Sequence, residues 1–107
     1  MAVSEVTVDD LEAALRSGAA LIDVREPSEY EAGHVPTAVL VPLASVPDTI
    51  DLFPTDRRAY VICRSGARSH RACEFLADQG LDVVNVAGGT LAWIASGRQT
   101  VVGDQPA

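Results

Sequence analysis

Cys63 opens the run Cys63-Arg64-Ser65-Gly66-Ala67-Arg68-Ser69, which sets a nucleophilic sulfur beside two guanidinium groups and a glycine. A cysteine does nucleophilic chemistry as its thiolate, so its surroundings must favour negative charge. The apolar run Ala59-Tyr60-Val61-Ile62 leads into Cys63, and a helical pattern starts at Ala67. A strand that passes through a tight loop into a helix N-terminus gathers free backbone N–H groups around a point above the sulfur. The helix dipole adds to that field. Thiols in such places ionise with a pKa of roughly 3.5–7.5 instead of about 8.5. Arg64 and Arg68 act in the same direction and offer planar donors to an oxyanion. Gly66 admits backbone conformations that a larger residue resists. By position alone Cys63 could equally be a small buried residue closing a strand. The composition of the loop decides for the nucleophile.

The other reactive side chains read differently. Cys73 falls with Ser69, Ala72 and Leu76 on the i, i+3, i+4, i+7 stripe of the helix after the loop, which is the core-facing stripe. It reads as packing. His70 and Arg71 lie on the outer face of that helix, where solvation is the expected role. His34 follows Gly33 in a loop and reads as a structural hydrogen-bonder. Trp93, with Leu91 and Ile94, reads as core. Two cysteines without a C-x-x-C spacing make neither a disulfide framework nor a metal site.

The elements that must hold Cys63 alternate along the chain. Thr7 reads as the N-cap of a helix with Asp9 and Asp10 in its first turn and Leu11, Ala14 and Leu15 on its apolar stripe, stopped by Gly18. Ala20-Leu21-Ile22-Asp23-Val24 is a buried-type strand, and residues 28–32 form a short helical turn before Gly33. Residues 38–41 are a second short strand. Between Pro47 and Pro54 a brief helix is expected over 48–52, then comes the strand 59–62. The spacing predicts a helix over 67–79 capped by Gly80, a strand over 82–86, a turn at Gly88-Gly89 and a last helix over 90–96. Strand and helix in alternation mean parallel pairing with crossover helices, an α/β fold. Near-continuous apolar strands fit a sheet covered on both faces. Ligands of such sheets bind at the carboxyl ends of the strands, where Cys63 stands.

The 107 residues fit one domain, with residues 99–107 read as a loosely held tail. Apolar residues make up 48% of the chain, enough for a core without metal or disulfide support. The formal net charge is −7, and all eight basic residues are arginine. An acidic chain disfavours binding to nucleic acid or to an anionic membrane. It also makes the three arginines that follow Cys63 within nine residues, Arg64, Arg68 and Arg71, informative. The first residues carry no basic stretch followed by an apolar one, and no run approaches the roughly 20 apolar residues that span a bilayer. A reducing, cytoplasmic setting is expected for a chain that uses a free thiol.

Three segments together resemble the rhodanese family, the single-domain thiosulfate sulfurtransferases. Asp23-Val24-Arg25-Glu26-Pro27-Ser28-Glu29-Tyr30, continuing to Gly33-His34-Val35-Pro36-Thr37-Ala38, looks like the family's first signature. Residues 63–69 look like its active-site loop, and Gly88-Gly89-Thr90-Leu91-Ala92-Trp93 is similar to its C-terminal signature. The likeness covers about residues 5–97. Thr37 departs from it, because the family usually has glycine after the proline, and the loop lacks a lysine found in some relatives.

The resemblance implies a three-layer fold: a five-stranded, mostly parallel sheet with helices on both faces, formed by residues 1–107 as a single domain. It also implies double displacement. The Cys63 thiolate takes the outer sulfur of thiosulfate or a similar donor, sulfite leaves, and a nucleophilic acceptor removes the sulfur from the Cys63 persulfide. The backbone of Arg64, Ser65, Gly66, Ala67 and Arg68 would cradle that persulfide, with the Arg64 and Arg68 side chains on the donor's sulfonate. No metal or organic cofactor is expected. A sulfur-carrier protein is a further candidate as donor or acceptor. Asp23, Arg25, Glu29 and His34 would brace the loops.

Two rival readings remain on the sequence. A related cysteine-dependent phosphatase would carry its arginine six positions after the cysteine, where this chain has Ser69; Arg68 comes one residue early and closes a smaller ring. A non-catalytic rhodanese-like binding module would commonly lack the cysteine that this chain keeps.

Overall fold

The structure, a computed structural model, describes residues 3–107. Its elements in chain order are β1 (Ser4–Val6), α1 (Val8–Arg16), β2 (Ala20–Asp23), α2 (Pro27–Ala32), β3 (Val39–Leu40), β4 (Ala59–Ile62), α3 (Ala67–Asp78), β5 (Val83–Val86) and α4 (Gly89–Ala95). Two 3-10 turns, Leu43–Asp48 and Ile50–Leu52, link β3 to β4. The strands form one sheet in the order β1-β5-β4-β2-β3, and every pairing is parallel. All five strands therefore end at the same edge, and Cys63 leaves the middle strand, β4, at that edge.

Alternation along the strands feeds two cores. Ile22, Val61, Cys63 and Val83 point to the face covered by Ala72, Cys73 and Leu76 of α3 and by Val46 and Phe53. Leu21, Ile62 and Val86 point to the other face, against Leu11 of α1, Tyr30 of α2 and Trp93 of α4. Each helix shows its reason for starting or stopping. Thr7 caps α1 by accepting the Asp10 N–H at 3.3 Å, an arrangement worth about 1 kcal/mol. Pro27 opens α2 in the first turn, where its missing N–H costs nothing. Arg98 ties α4 back to α1 through Asp9 at 2.7 Å and Glu12 at 3.2 Å, with its guanidinium over the Trp93 ring.

The structure departs from the sequence reading in four places. β1 is a strand that the residue pattern does not reveal; it is three residues long and pairs only with β5. β3 has two residues, Val39–Leu40, fewer than the four expected. The helix expected over 48–52 is instead the pair of 3-10 turns, with Pro47 inside the first; proline removes a donor and breaks the α-helical ladder.

The tail is the fourth departure. Residues 99–107 are tied to the loop after α2. His34 and Val101 exchange backbone hydrogen bonds at 2.9 Å each way. Gly103 N–H donates to Glu31 O at 2.8 Å and Thr37 N–H to Pro106 O at 3.0 Å. The His34 ring is fully buried and stacks on Tyr30, with one nitrogen 2.8 Å from Tyr30 O and the other 2.8 Å from Gln105 O. Thr37 has φ +78, and it is the non-glycine residue with positive φ among those described. Glycine suits that backbone, and the chain places a β-branched residue there.

Candidate active site

The loop after β4 curls over its own sulfur. Gly66, with φ +105, turns the chain into the N-terminus of α3 and donates its N–H to Cys63 Sγ at 3.1 Å. The backbone N–H groups of Ser65 and Ser69 also face the sulfur. The Ser69 hydroxyl lies 3.3 Å from Sγ and is hydrogen-bonded to Asn85 Oδ1. Burial pushes the Cys63 thiol up, but the Ser69 hydroxyl and the three backbone N–H groups together bring it below the ordinary thiol value. Cys63 is thus a buried sulfur in a cradle of donors.

The cradle is clamped from outside by the Gly88-Gly89-Thr90 segment. Thr90 donates its N–H at 2.9 Å and its hydroxyl at 3.0 Å to Cys63 O, and Leu91 N–H donates to Arg64 O at 3.0 Å. These are first-turn N–H groups of α4, which have no partner within their own helix. The approach is close enough that a Cβ on Gly89 would sit 2.6 Å from both Cys63 O and Arg64 O. Gly89 is needed for this contact between one backbone and another, whereas a Cβ on Gly88 would meet the Ala92 side chain at 2.7 Å.

The two loop arginines have different surroundings. Arg68 forms a two-pronged ion pair with Glu29 of α2, at 2.7 and 2.9 Å. The Arg68 hydrogen bond, against the opposing effect of burial, holds the Glu29 carboxyl down to about 2. Both terminal nitrogens that the sequence reading assigns to a sulfonate are therefore engaged with a carboxylate. The arginine ion pairs among the described residues involve Arg16, Arg25, Arg58, Arg68 and Arg98; Arg64 is in none. Arg64 is exposed and lines a cleft of about 290 Å³ together with Glu29, Gly33, Leu91, Ile94 and Thr100.

Ser65 and Ala67 are also exposed. They contribute backbone to the loop, and no side-chain contact with the sulfur. Asp23 and Arg25 pair in a buried bridge at 2.8 Å, and Arg25 also donates to Gly33 O at 2.9 Å, which steadies the loop after β2. Cys73 is buried in the core and its thiol is pushed up to about 12, first by burial and then by the charges of Glu5 and Cys63. His70 lies 3.6 Å from Glu74 on the outer face of α3. No three His, Cys, Asp or Glu side chains gather as a metal-ligand set among the described residues. No helix among them is long and apolar enough to cross a membrane.

Sequence reasoning leaves out three contributors. Ser69 sits on the core stripe as expected, but its hydroxyl serves the sulfur. Asn85 is a buried amide in the apolar strand Val83–Val86, and a polar residue there is itself the signal. Thr90 holds the Cys63 carbonyl, a role visible only when α4 is seen against the loop.

Known proteins resemble this chain in sequence and in fold. A protein-family profile described as Rhodanese-like domain matches residues 7–96. A sulfurtransferase of Allochromatium vinosum is 40% identical over 82 residues, covering 76% of this chain and 77% of that protein. The thiosulfate sulfurtransferase GlpE of Pseudomonas syringae is 34% identical over 95 residues, covering 88% and 90%. The crystal structure of a rhodanese-related protein from Thermoplasma volcanium superposes with a TM-score of 0.88 at 31% identity, over 94% of this chain and 99% of the other. The profile spans β2 to β5, the Cys63 loop and the α4 clamp alike, and the chain belongs to the rhodanese-like domain family.

Proposed function

We propose that the chain is a sulfurtransferase that carries sulfane sulfur as a persulfide on Cys63. The observation that carries this reading is the cradle: a buried sulfur that accepts a hydrogen bond from Gly66 N–H, with the Ser69 hydroxyl 3.3 Å away and further N–H groups aimed at it. The membership of the family and the sulfurtransferases among its relatives support it.

In the first half-reaction the Cys63 thiolate attacks the outer sulfur of thiosulfate. A sulfur–sulfur bond forms to Sγ, the original sulfur–sulfur bond breaks, and its electron pair leaves with sulfite. In the second, an acceptor such as cyanide attacks the outer sulfur of the persulfide, thiocyanate departs, and the thiolate returns. One transfer is thereby split into two substitutions at sulfur. Arg64 is the cation free to meet the donor's sulfonate, while Arg68 holds the loop to α2 through Glu29. The loop N–H groups stabilise the anionic sulfur as an oxyanion hole stabilises oxygen. The pairing of Arg68 with Glu29 also weighs against the phosphatase reading, which needs that arginine on the substrate. A sulfur-carrier protein fits as an alternative donor or acceptor, and a reducing cytoplasm would keep Cys63 free.

The test is thiocyanate formation from thiosulfate and cyanide by the whole chain and by Cys63→Ser and Cys73→Ser. Activity should vanish with the first and persist with the second. Equal activity in Cys63→Ser sinks the reading. Mass spectrometry after thiosulfate alone should find one added sulfur on the Cys63 peptide and none on the Cys73 peptide.

A further inference from the structure

Ser69 has one hydroxyl proton and faces two acceptors, Cys63 Sγ at 3.3 Å and Asn85 Oδ1. Cys63, Ser69 and Asn85 are all buried. The Asn85 amide is held in one orientation: Nδ2 donates to Glu5 Oε2 at 2.7 Å and to Gly66 O at 3.1 Å, which uses both of its protons. Turned over, it would set its own oxygen against a carboxylate and a carbonyl. Oδ1 therefore faces Ser69 and takes the hydroxyl proton while Cys63 is a thiol, and the thiol donates to a lone pair of Ser69 Oγ. Hydrogen bonds run in one direction, from Cys63 to Ser69 to Asn85, and Glu5 fixes the far end. Strand register holds the parts in place, since Glu5 of β1 is the partner of Asn85 in β5.

Ionisation of Cys63 upsets that order. A thiolate has only lone pairs, so Ser69 must turn its proton to sulfur, leaving Asn85 Oδ1 buried without a donor. A persulfide makes no such demand. Its Sγ is an uncharged sulfur with two bonds, the charge lies on the outer sulfur, and the Ser69 proton stays with Asn85.

We propose that Asn85, anchored by Glu5, is a positioning residue: it claims the Ser69 proton and so disfavours the free Cys63 thiolate relative to the thiol and the sulfur-loaded form. The loop N–H groups lower the thiol, and Asn85 limits how far it falls. Arg68 and Cys73, both on α3, also interact with the Cys63 charge. Neither is hydrogen-bonded to Ser69 or Asn85. The part concerning the persulfide rests on the sulfur-transfer reading above; the part concerning the thiol does not.

The experiment follows iodoacetamide alkylation of the Cys63 peptide against pH in the full chain, for Asn85→Leu, Glu5→Ala and Ser69→Ala, and for the first two combined with Ser69→Ala. Asn85→Leu should ionise Cys63 about one pH unit lower, read as alkylation about tenfold faster below the unsubstituted chain's midpoint. Glu5→Ala, at an exposed position, should shift it the same way by less, and decides alone if Asn85→Leu does not fold. Both shifts should disappear in the Ser69→Ala background, where any simple charge effect of Glu5 would persist. An upward shift, no shift in either variant, or a downward shift undiminished without the Ser69 hydroxyl overturns the proposal. Because alkylation reads the thiol directly, a chain that failed to transfer sulfur would still report on Asn85.

Discussion

Arg68 and Glu29 hold each other in a two-pronged ion pair, Nη1 to Oε1 at 2.7 Å and Nη2 to Oε2 at 2.9 Å, which fastens the helix after the active loop to α2. Glu29 also accepts the Glu26 N–H at 3.0 Å, closing a capping box on its own helix. The pair divides the two loop arginines: Arg68 is engaged with a carboxylate, and Arg64 is in none of the ion pairs among the described residues.

Arg64→Ala should raise the KM for thiosulfate about tenfold, the scale of one lost charge-assisted hydrogen bond. Arg68→Ala should change KM less and lower stability by about 1 kcal/mol, the upper end for a partly exposed pair. Steady-state kinetics and urea unfolding of both variants check this. A KM change in Arg68→Ala as large as in Arg64→Ala would return Arg68 to the donor.

The same pair predicts a pH dependence. The Glu29 carboxyl has an ordinary value of 4.5 and is held at about 2 in the fold, so between these values the unfolded chain binds the extra proton. Its contribution is complete above about pH 4.5 and is lost as pH falls toward about 2. The stability gap between the unsubstituted chain and Glu29→Gln should therefore shrink steadily in urea titrations taken from neutral pH into that window. A gap that is constant with pH would count against the pair.

Thr37→Gly should stabilise the fold by about 1 kcal/mol. A β-branched residue at φ +78 costs about 1–3 kcal/mol, partly offset by the greater chain entropy that glycine loses on folding. The urea midpoint should rise without a change in slope. A fall would mean that Thr37 makes a compensating contact.

Gly89→Ala should be far more damaging than Gly80→Ala, although both have positive φ. The new methyl at position 89 would lie 2.6 Å from two backbone carbonyl oxygens of the active loop, whereas at position 80 it meets nothing within 4 Å. Overpacking and strain together amount to about 2–4 kcal/mol at Gly89 and about 1 kcal/mol at Gly80. Thiocyanate formation and unfolding should both separate the two variants; equal losses would refute the role of the clamp.

Much of this was legible in the residues, and the reason is local. Ala59–Ile62 is too apolar and too short for anything but a buried strand, and Gly66 followed by a helical stripe places Cys63 at a helix start. Cys73 and Ser69 share that stripe, so their burial follows from period alone. What stayed hidden depends on distant partners. β1 has three residues with no pattern of its own and exists because β5 has an open edge. The tail has no periodicity, and its order comes from the carbonyls and ring of the loop around His34. Arg68 could not be assigned from spacing, because its partner is 39 positions away.

The clamp on the Cys63 loop grips main-chain carbonyls, and this leaves the side chains at positions 64, 65 and 67 facing solvent. Those positions can drift, or be redesigned, without disturbing the scaffold that supports the nucleophile. On the proposed sulfur-transfer reading, donor preference is accordingly a replaceable part: three surface residues to alter, on a frame whose stability is written elsewhere.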